Sequence, residues 1–436
     1  MAAPGAAATA NPRAAVAPAA GRARGGGRPP RGYAKPKSAN KIPHPESYLD
    51  MPGPLNPAAE RAVSHMVQQY ADSVARTSED DYARRSVHDD MNELIRMSLA
   101  VDGVECPDFQ LHLFGSAATG LGERTCDLDI CIDFFEENDV CKHLQVNKKT
   151  LESAVVKKMG NNARKTRALF RLVETIAHAK VPIVMLVHVP TKISCDVCVG
   201  NTLGVTNSAL LKEYSLFDPR VYPVVVAVKK WASANGLSGS KKGFLSSYSW
   251  ALLVVYFLQR KGILPSLQKL AHPDDVPRDL EFLSAQEAEA VFKPMPDGKG
   301  VGELFFDFFC FYGFEFQWGG EVASIRLGEK RVRSDGEFRR APLKNTQHDE
   351  IHIEDPFELG RNLNCVLNKG SATKMFSGLQ QAAQCIAEED IGGLFLYTCS
   401  YCKTANLTSA EGKEDEAYDK WYCSKCWDAW SRQRRR

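Results

Sequence analysis

From Asn56 to Leu99, apolar residues recur at helical spacing: Ala59, Val63, Met66, Val67, Tyr70 and Val74, then Met91, Leu94, Ile95 and Met97. This predicts two helices bracing the sheet that follows. Residues 109–133 change period. An apolar strand runs up to Gly115-Ser116, a small-residue loop follows, and Asp127-Leu128-Asp129 opens a second strand. Successive strand side chains point to opposite faces, so Asp127 and Asp129 share one face while Leu128 and Ile130 fill the other. The Lys- and Arg-rich stretch Val155–Ile176 reads as helical, and 181–189 and 192–200 read as neighbouring strands. Further on, Ser246 caps a buried helix, a loop-rich segment runs to about 302, the aromatic stretch 304–318 reads as core, and 321–326 as a strand.

Composition bounds the class. A chain of 436 residues with 44% hydrophobic and 25% charged residues accommodates two or three domains with sizeable cores. The net charge of +2 hides an asymmetry: residues 1–45 hold eight Lys/Arg and no acid, and 432–436 hold four Arg. The remaining body has 43 basic against 53 acidic side chains, so a polyanion must be gripped by local basic patches or by the tails. Residues 1–48, nearly free of bulky apolar side chains, read as a disordered basic tail. Its Arg content also fits a transit peptide, although its Pro and Gly oppose an amphipathic helix. The expected location is cytoplasmic, with mitochondrion or nucleus as alternatives. Most of the thirteen cysteines stand singly in apolar stretches, which suggests a reducing compartment. The longest apolar run, Trp250–Leu258, is nine residues, too short to span a bilayer, so no membrane role is expected.

The acids carry the candidate chemistry. Two carboxylates roughly 7 Å apart on one strand face suit divalent cations, and the Gly115-Ser116 turn offers backbone N–H groups to a phosphate. Asp196, flanked by Ile193, Val197 and Val199, is an acid inside a buried run, costly unless paired or metal-bound. Cys195 and Cys198 face opposite sides of their strand and read as packing. Cys399-x-x-Cys402 and Cys423-x-x-Cys426 form two knuckles twenty residues apart, the spacing of a tetrahedral, structural Zn²⁺ site. Trp421, Tyr422, Trp427 and Trp430 beside the terminal arginines either stack on RNA or form the finger's own core.

Apolar-Gly-Ser, a spacer and Asp-x-Asp, with a third acid on a later strand, resemble the DNA polymerase β-like nucleotidyltransferases. Asn207-Ser208, Val-Lys-x-Trp-Ala (228–232), Ser-Tyr-Ser (247–249) and HIEDPFELGRNLN (352–364) narrow the resemblance to the terminal uridylyltransferase and noncanonical poly(A) polymerase branch, over roughly 60–385. The resemblance implies an α+β architecture: a mixed-sheet catalytic domain (49–204), a mainly helical PAP-associated domain (205–390), then the small zinc segment (391–436). It implies template-independent addition of UMP from UTP to RNA 3′ ends, with two Mg²⁺ or Mn²⁺ ions. Asp127 and Asp129 would bridge both ions and Asp196 would hold one. Gly115, Ser116, Asn207, Ser208, Lys229 and Ser247 would contact the phosphates or ribose. Tyr248 would stack on the base, and Asp355 and Glu358 would accept from uracil N3–H, although Glu358 could instead cap a helix. The chain departs from the pattern at Ser233, where a second phosphate-binding Lys is usual and for which Lys241 or Lys242 could substitute. It departs again at Arg361, where uridine-selective members carry His. A poly(A) polymerase using ATP and a catalytically inactive RNA-binding scaffold are the alternatives, and protein partners are expected to supply RNA specificity.

Overall fold

The computed structural model describes residues 49–101, 104–272, 281–295, 298–335, 338, 351–359, 361–364, 366–395, 412–415 and 420–428. The basic tail, Cys399, Cys402, Trp430 and the terminal arginines lie outside them.

Helix α1 (Pro57–Val74) starts where the Asn56 side chain accepts from the N–H groups of Ala58 and Ala59, with Pro57 at the first position. Helix α2 (Ser78–Leu99) starts at a capping box between Thr77 and Asp80, and the acids of its first turn complement the helix dipole. Strands β1 (Phe109–Phe114) and β2 (Leu128–Phe134) follow, then α3 (Glu137–Leu144), α4 (Leu151–Ala163), β3 (Phe170–Ile176), β4 (Ile183–His188) and β5 (Ser194–Val199). These strands form a mixed sheet in the order β1-β2-β5-β4-β3, parallel only between β2 and β5. Leu128, Ile130, Ile132, Val184, Leu186 and Val197 fill one face against α2 and α4. The opposite face carries the acids.

Two expectations need correction. The helix expected over 155–176 ends at Ala163, and Phe170–Ile176 is the edge strand β3. There Phe170 and Leu172 turn toward the core while Arg171 is exposed, an alternation that wins once β4 offers a hydrogen-bonding partner. Of the two helices expected to brace the sheet, only α2 does so. Val63 and Val67 of α1 belong instead to the second core, where α1 packs on later helices.

That second core is mainly helical: α5 (Thr202–Phe217), α6 (Val221–Ala234), α7 (Ser247–Arg260), α8 (Leu267–Ala271), α9 (Ala285–Val291), α10 (Val301–Cys310) and α11 (Lys369–Ala387). Ser246 caps α7 by accepting from the Ser249 N–H, as expected. The aromatic stretch is core: Phe305, Phe308, Phe309 and Tyr312 are buried, and Trp231 meets Trp250 and Phe309 edge-to-face at 5.7 and 4.7 Å. Strand β6 (Glu321–Ala323) pairs antiparallel with β7 (Arg331–Val332) and parallel with β8 (His352–Ile353), which delivers residues 354–364 to the catalytic lobe. A hairpin of β9 (Gly412–Asp415) and β10 (Lys420–Cys423) ends at a short helix, 424–428. No helix among the described residues is long and apolar enough to cross a membrane.

Candidate active site

Strand pairing assembles the acids. Asp129 on β2 stands opposite Asp196 on the parallel strand β5, so their carboxylates project side by side from one face. Asp127, two residues before Asp129, joins them closely enough for its charge to act on both. Burial, then Asp196 and Asp127, push the Asp129 carboxyl up to about 7. Burial and Asp127 raise that of Asp196, against a smaller opposing effect of Lys241. Among the described residues, no hydrogen-bond donor or salt-bridge cation reaches any of the three. Hard oxygen donors with uncompensated charge are the chemistry that Mg²⁺ or Mn²⁺ takes, although the three do not close into a metal-holding cluster as they stand.

The loop after β1 is built around these carboxylates. Gly115 has φ +67°, and a Cβ there would lie 1.9 Å from Asp129 Oδ2, so only glycine fits. Gly115 O accepts from the Ala118 and Thr119 N–H groups, and the Gly115 N–H donates to Ser208 Oγ at 2.8 Å. Ser208 Oγ in turn donates to Gly204 O at 2.8 Å, so this hydroxyl clasps the loop to α5. Arg76 tethers the same loop by donating to Ala117 O at 3.0 Å. Ser116 follows in this tight turn, half-buried.

Tyr248, near the start of α7, donates to Asn207 Oδ1 at 2.7 Å, joining two residues expected at the nucleotide. Burial, with Asp355 adding to it, raises the Tyr248 hydroxyl well above its ordinary range, so it stays a donor. Ser247, beside it, is exposed. Lys229 does not extend freely: its ammonium donates to Leu121 O at 3.0 Å, at the far end of the Gly-Ser loop, and burial lowers its pKa. Ser233 lies one turn later on α6, and Lys241 is the cation whose field reaches Asp196.

Asp355 is buried, and its Oδ1 accepts from the N–H groups of Phe357 and Glu358 at 3.1 and 3.0 Å. Its Oδ2 and Glu358 Oε2 both take Arg361 Nη1, at 3.4 and 3.1 Å. Lys180, in the β3–β4 turn, lies 3.8 Å from Glu358 Oε1. Sequence reasoning noted Arg361 only as a departure, and missed that it bridges both acids. It also missed Lys180 and the Ser208 clasp; the partners lie 178 and 93 residues apart, with no local signal.

Cys195 and Cys198 are buried in packing, as expected. Of the proposed zinc ligands, Cys423 ends β10 half-buried and Cys426 is buried in helix 424–428. Among the described residues no group of three or more His, Cys, Asp or Glu closes into a metal-holding cluster, the three aspartates included; Cys399 and Cys402 lie outside those residues.

Residues 63–216 match the family model for the central palm domain of mitochondrial-like poly(A) RNA polymerase, and residues 300–361 match that for the Cid1 family poly A polymerase. Human poly(A) RNA polymerase GLD2 is 32% identical over 260 residues, covering 58% of this chain and 51% of that protein. Human terminal uridylyltransferase 7 is 27% identical over 326 residues, 72% of this chain and 20% of that protein. The chain thus spans about half the length of the GLD2 relatives it matches. Among solved structures, Cid1 poly(U) polymerase matches with TM-score 0.60 at 21% identity, over 75% of this chain and 95% of that one. A cytoplasmic RNA terminal U-transferase matches with TM-score 0.59 at 20% identity, over 75% and 94%. These likenesses show the fold.

Proposed function

We propose that this chain, which belongs to the terminal uridylyltransferase and noncanonical poly(A) polymerase family, transfers a nucleoside monophosphate from a ribonucleoside triphosphate to an RNA 3′-hydroxyl, releasing pyrophosphate. The observation that carries this reading is the convergence of three uncompensated carboxylates, Asp127, Asp129 and Asp196, beside the loop at Gly115-Ser116. Asp127, Asp129 and Asp196 are the residues that would hold Mg²⁺ or Mn²⁺, and such an ion would supply Lewis acidity and offset developing negative charge. Ser116 presents its backbone N–H to the phosphates, the Gly115 N–H being given to Ser208; Ser208 and Lys229 hold that loop in place through Gly115 and Leu121. Asn207 and Tyr248, tied by their hydrogen bond, form the sugar and base side.

The acidic pair Asp355 and Glu358 favours UTP, because uracil offers an N3–H donor where adenine offers the N1 acceptor. ATP is the second reading, and Arg361 is the observation behind it, since both acids already accept from its guanidinium. Incubating the protein with Mg²⁺, an RNA primer and each nucleotide separately decides. UTP is expected to be used fastest, and Arg361→Ala, which releases the acids, is expected to raise the UTP-to-ATP ratio severalfold. Faster use of ATP by both proteins establishes the second reading. No incorporation of any nucleotide leaves the RNA-binding scaffold.

The C-terminal segment is read as a zinc knuckle pair of Cys399, Cys402, Cys423 and Cys426, consistent with the hairpin-then-helix placement of the last two. Elemental analysis should find about one zinc per chain. Cys423→Ser or Cys426→Ser should lose it; equal zinc in both variants would refute the site.

A further inference from the structure

We propose that the outer edge of the catalytic lobe, from α4 through β3, is the surface along which single-stranded RNA behind the 3′ end lies. This rests on the RNA substrate of the function proposed above.

Charge singles out the surface. Between Lys148 and Lys192 stand ten Lys/Arg and only two acids, Glu152 and Glu174, in a chain whose body is otherwise acidic. Lys157, Arg164, Lys165, Arg167, Arg171 and Lys192 are all exposed. Among the described residues, only Lys148 and Lys180 of the ten pair with an acid, Glu137 and Glu358 respectively. At the α4–β3 turn, Arg164 donates to Asn161 Oδ1 and Arg167 to Arg164 O, local bonds that leave both charges uncompensated. A cluster of like charges repels itself and is costly to keep unless a polyanion covers it.

Sheet register connects this edge to the catalytic acids. Asp196 stands opposite Met185 on β4, and Met185 opposite Glu174 on β3. One step along, Ser194 stands opposite Val187, and Val187 opposite Arg171. Arg171 therefore projects from the catalytic face, two strands across and one two-residue step from Asp196, roughly 10 Å by 7 Å at standard strand spacings. Between them Ile183, Met185 and Val187 present half-buried apolar side chains. An apolar strip leading from the catalytic acids to an edge that carries Arg171, with Glu174 level with Asp196, matches the bases and the phosphates of one strand passing on the Arg171 side. At its other end β3 turns into Lys180, beside Glu358, so the track begins next to the base-reading loop.

The test measures binding of a long single-stranded RNA by fluorescence anisotropy across a salt series, together with extension of that RNA and of a trinucleotide primer. The triple variant Lys165→Ala, Arg167→Ala, Arg171→Ala should bind the long RNA about tenfold or more weakly. Its slope of log K against log salt should become shallower by about 2, at about 0.7 per phosphate for single strands. Its turnover on the long primer should fall relative to the trinucleotide, and lysines at Arg167 and Arg171 should retain affinity. Unchanged affinity and slope in the triple variant overturn the proposal, as does an equal loss of binding to polyglutamate, which would assign the face to an acidic protein. A wild-type protein that binds the RNA with this salt slope but incorporates no nucleotide would sink the catalytic reading while supporting the surface.

Discussion

Asp129→Ala abolishes nucleotide incorporation, by at least about a thousandfold, and leaves the protein folded. The rate loss follows because a bound metal contributes several kcal/mol of charge stabilisation in the transition state, and about 4 kcal/mol corresponds to a thousandfold. The fold survives because the three carboxylates repel one another: burial and two like charges raise Asp129 to about 7. The sign of the pH effect follows. The folded state holds the Asp129 proton more tightly than the unfolded chain, which ionises near 4. Its contribution to stability is therefore complete below about 4 and is lost as pH rises through about 7. In metal-free protein, Asp129→Asn should melt at a higher temperature than wild type at pH 8, by on the order of 1–3 kcal/mol after allowing for partial exposure. The two should converge at pH 4. Adding Mg²⁺ should raise the melting temperature of wild type and much less that of the variant. Turnover within tenfold of wild type in Asp129→Ala would remove the carboxylate cluster from the reaction.

Gly115→Ala is expected to be nearly as damaging, although it adds only one methyl group. A left-handed φ of +67° costs an L-residue roughly 1–2 kcal/mol, and the new Cβ would collide with Asp129 Oδ2. Either the loop or the carboxylate must move, and misplacement by about 1 Å costs on the order of a hundredfold in rate. The predicted outcome is a lower melting temperature and at least a hundredfold loss in kcat. Gly53→Ala, where an added Cβ meets nothing, should match wild type in both. Gly115→Ala with kcat within threefold of wild type would show that the loop does not depend on this close approach.

Both effects grow from residues legible in the sequence, since Gly-Ser and Asp-x-Asp are local patterns with a short-range physical meaning. Asp196 was legible for a related reason: an acid within a buried apolar run has to be explained by a partner or a metal. The aromatic core and the Ser246 cap were readable likewise, because burial and capping leave local signatures. The strand β3 was not, because it follows a Lys- and Arg-rich helical stretch and its own Arg171 and Glu174 suit an exposed helix equally well. Pairing with β4 settled the matter, with a register shift between Leu172 and Glu174. Nor could helical periodicity in α1 say which core its apolar stripe would join.

The sequence by itself named three aspartates and a glycine turn by residue chemistry and spacing, offered four cysteines as a zinc set, and pointed to an acidic pair through a family resemblance. Only the tertiary structure decided how they are spent. It put Asp129 opposite Asp196, turned Ser208 and Lys229 into supports of the Gly-Ser loop, bound Asp355 and Glu358 to Arg361, and aligned Arg171 with the catalytic face. The physical reason is range. Turns, caps and strand alternation are set within a few residues, whereas hydrogen bonds and charge pairs depend on distances that only long-range packing creates.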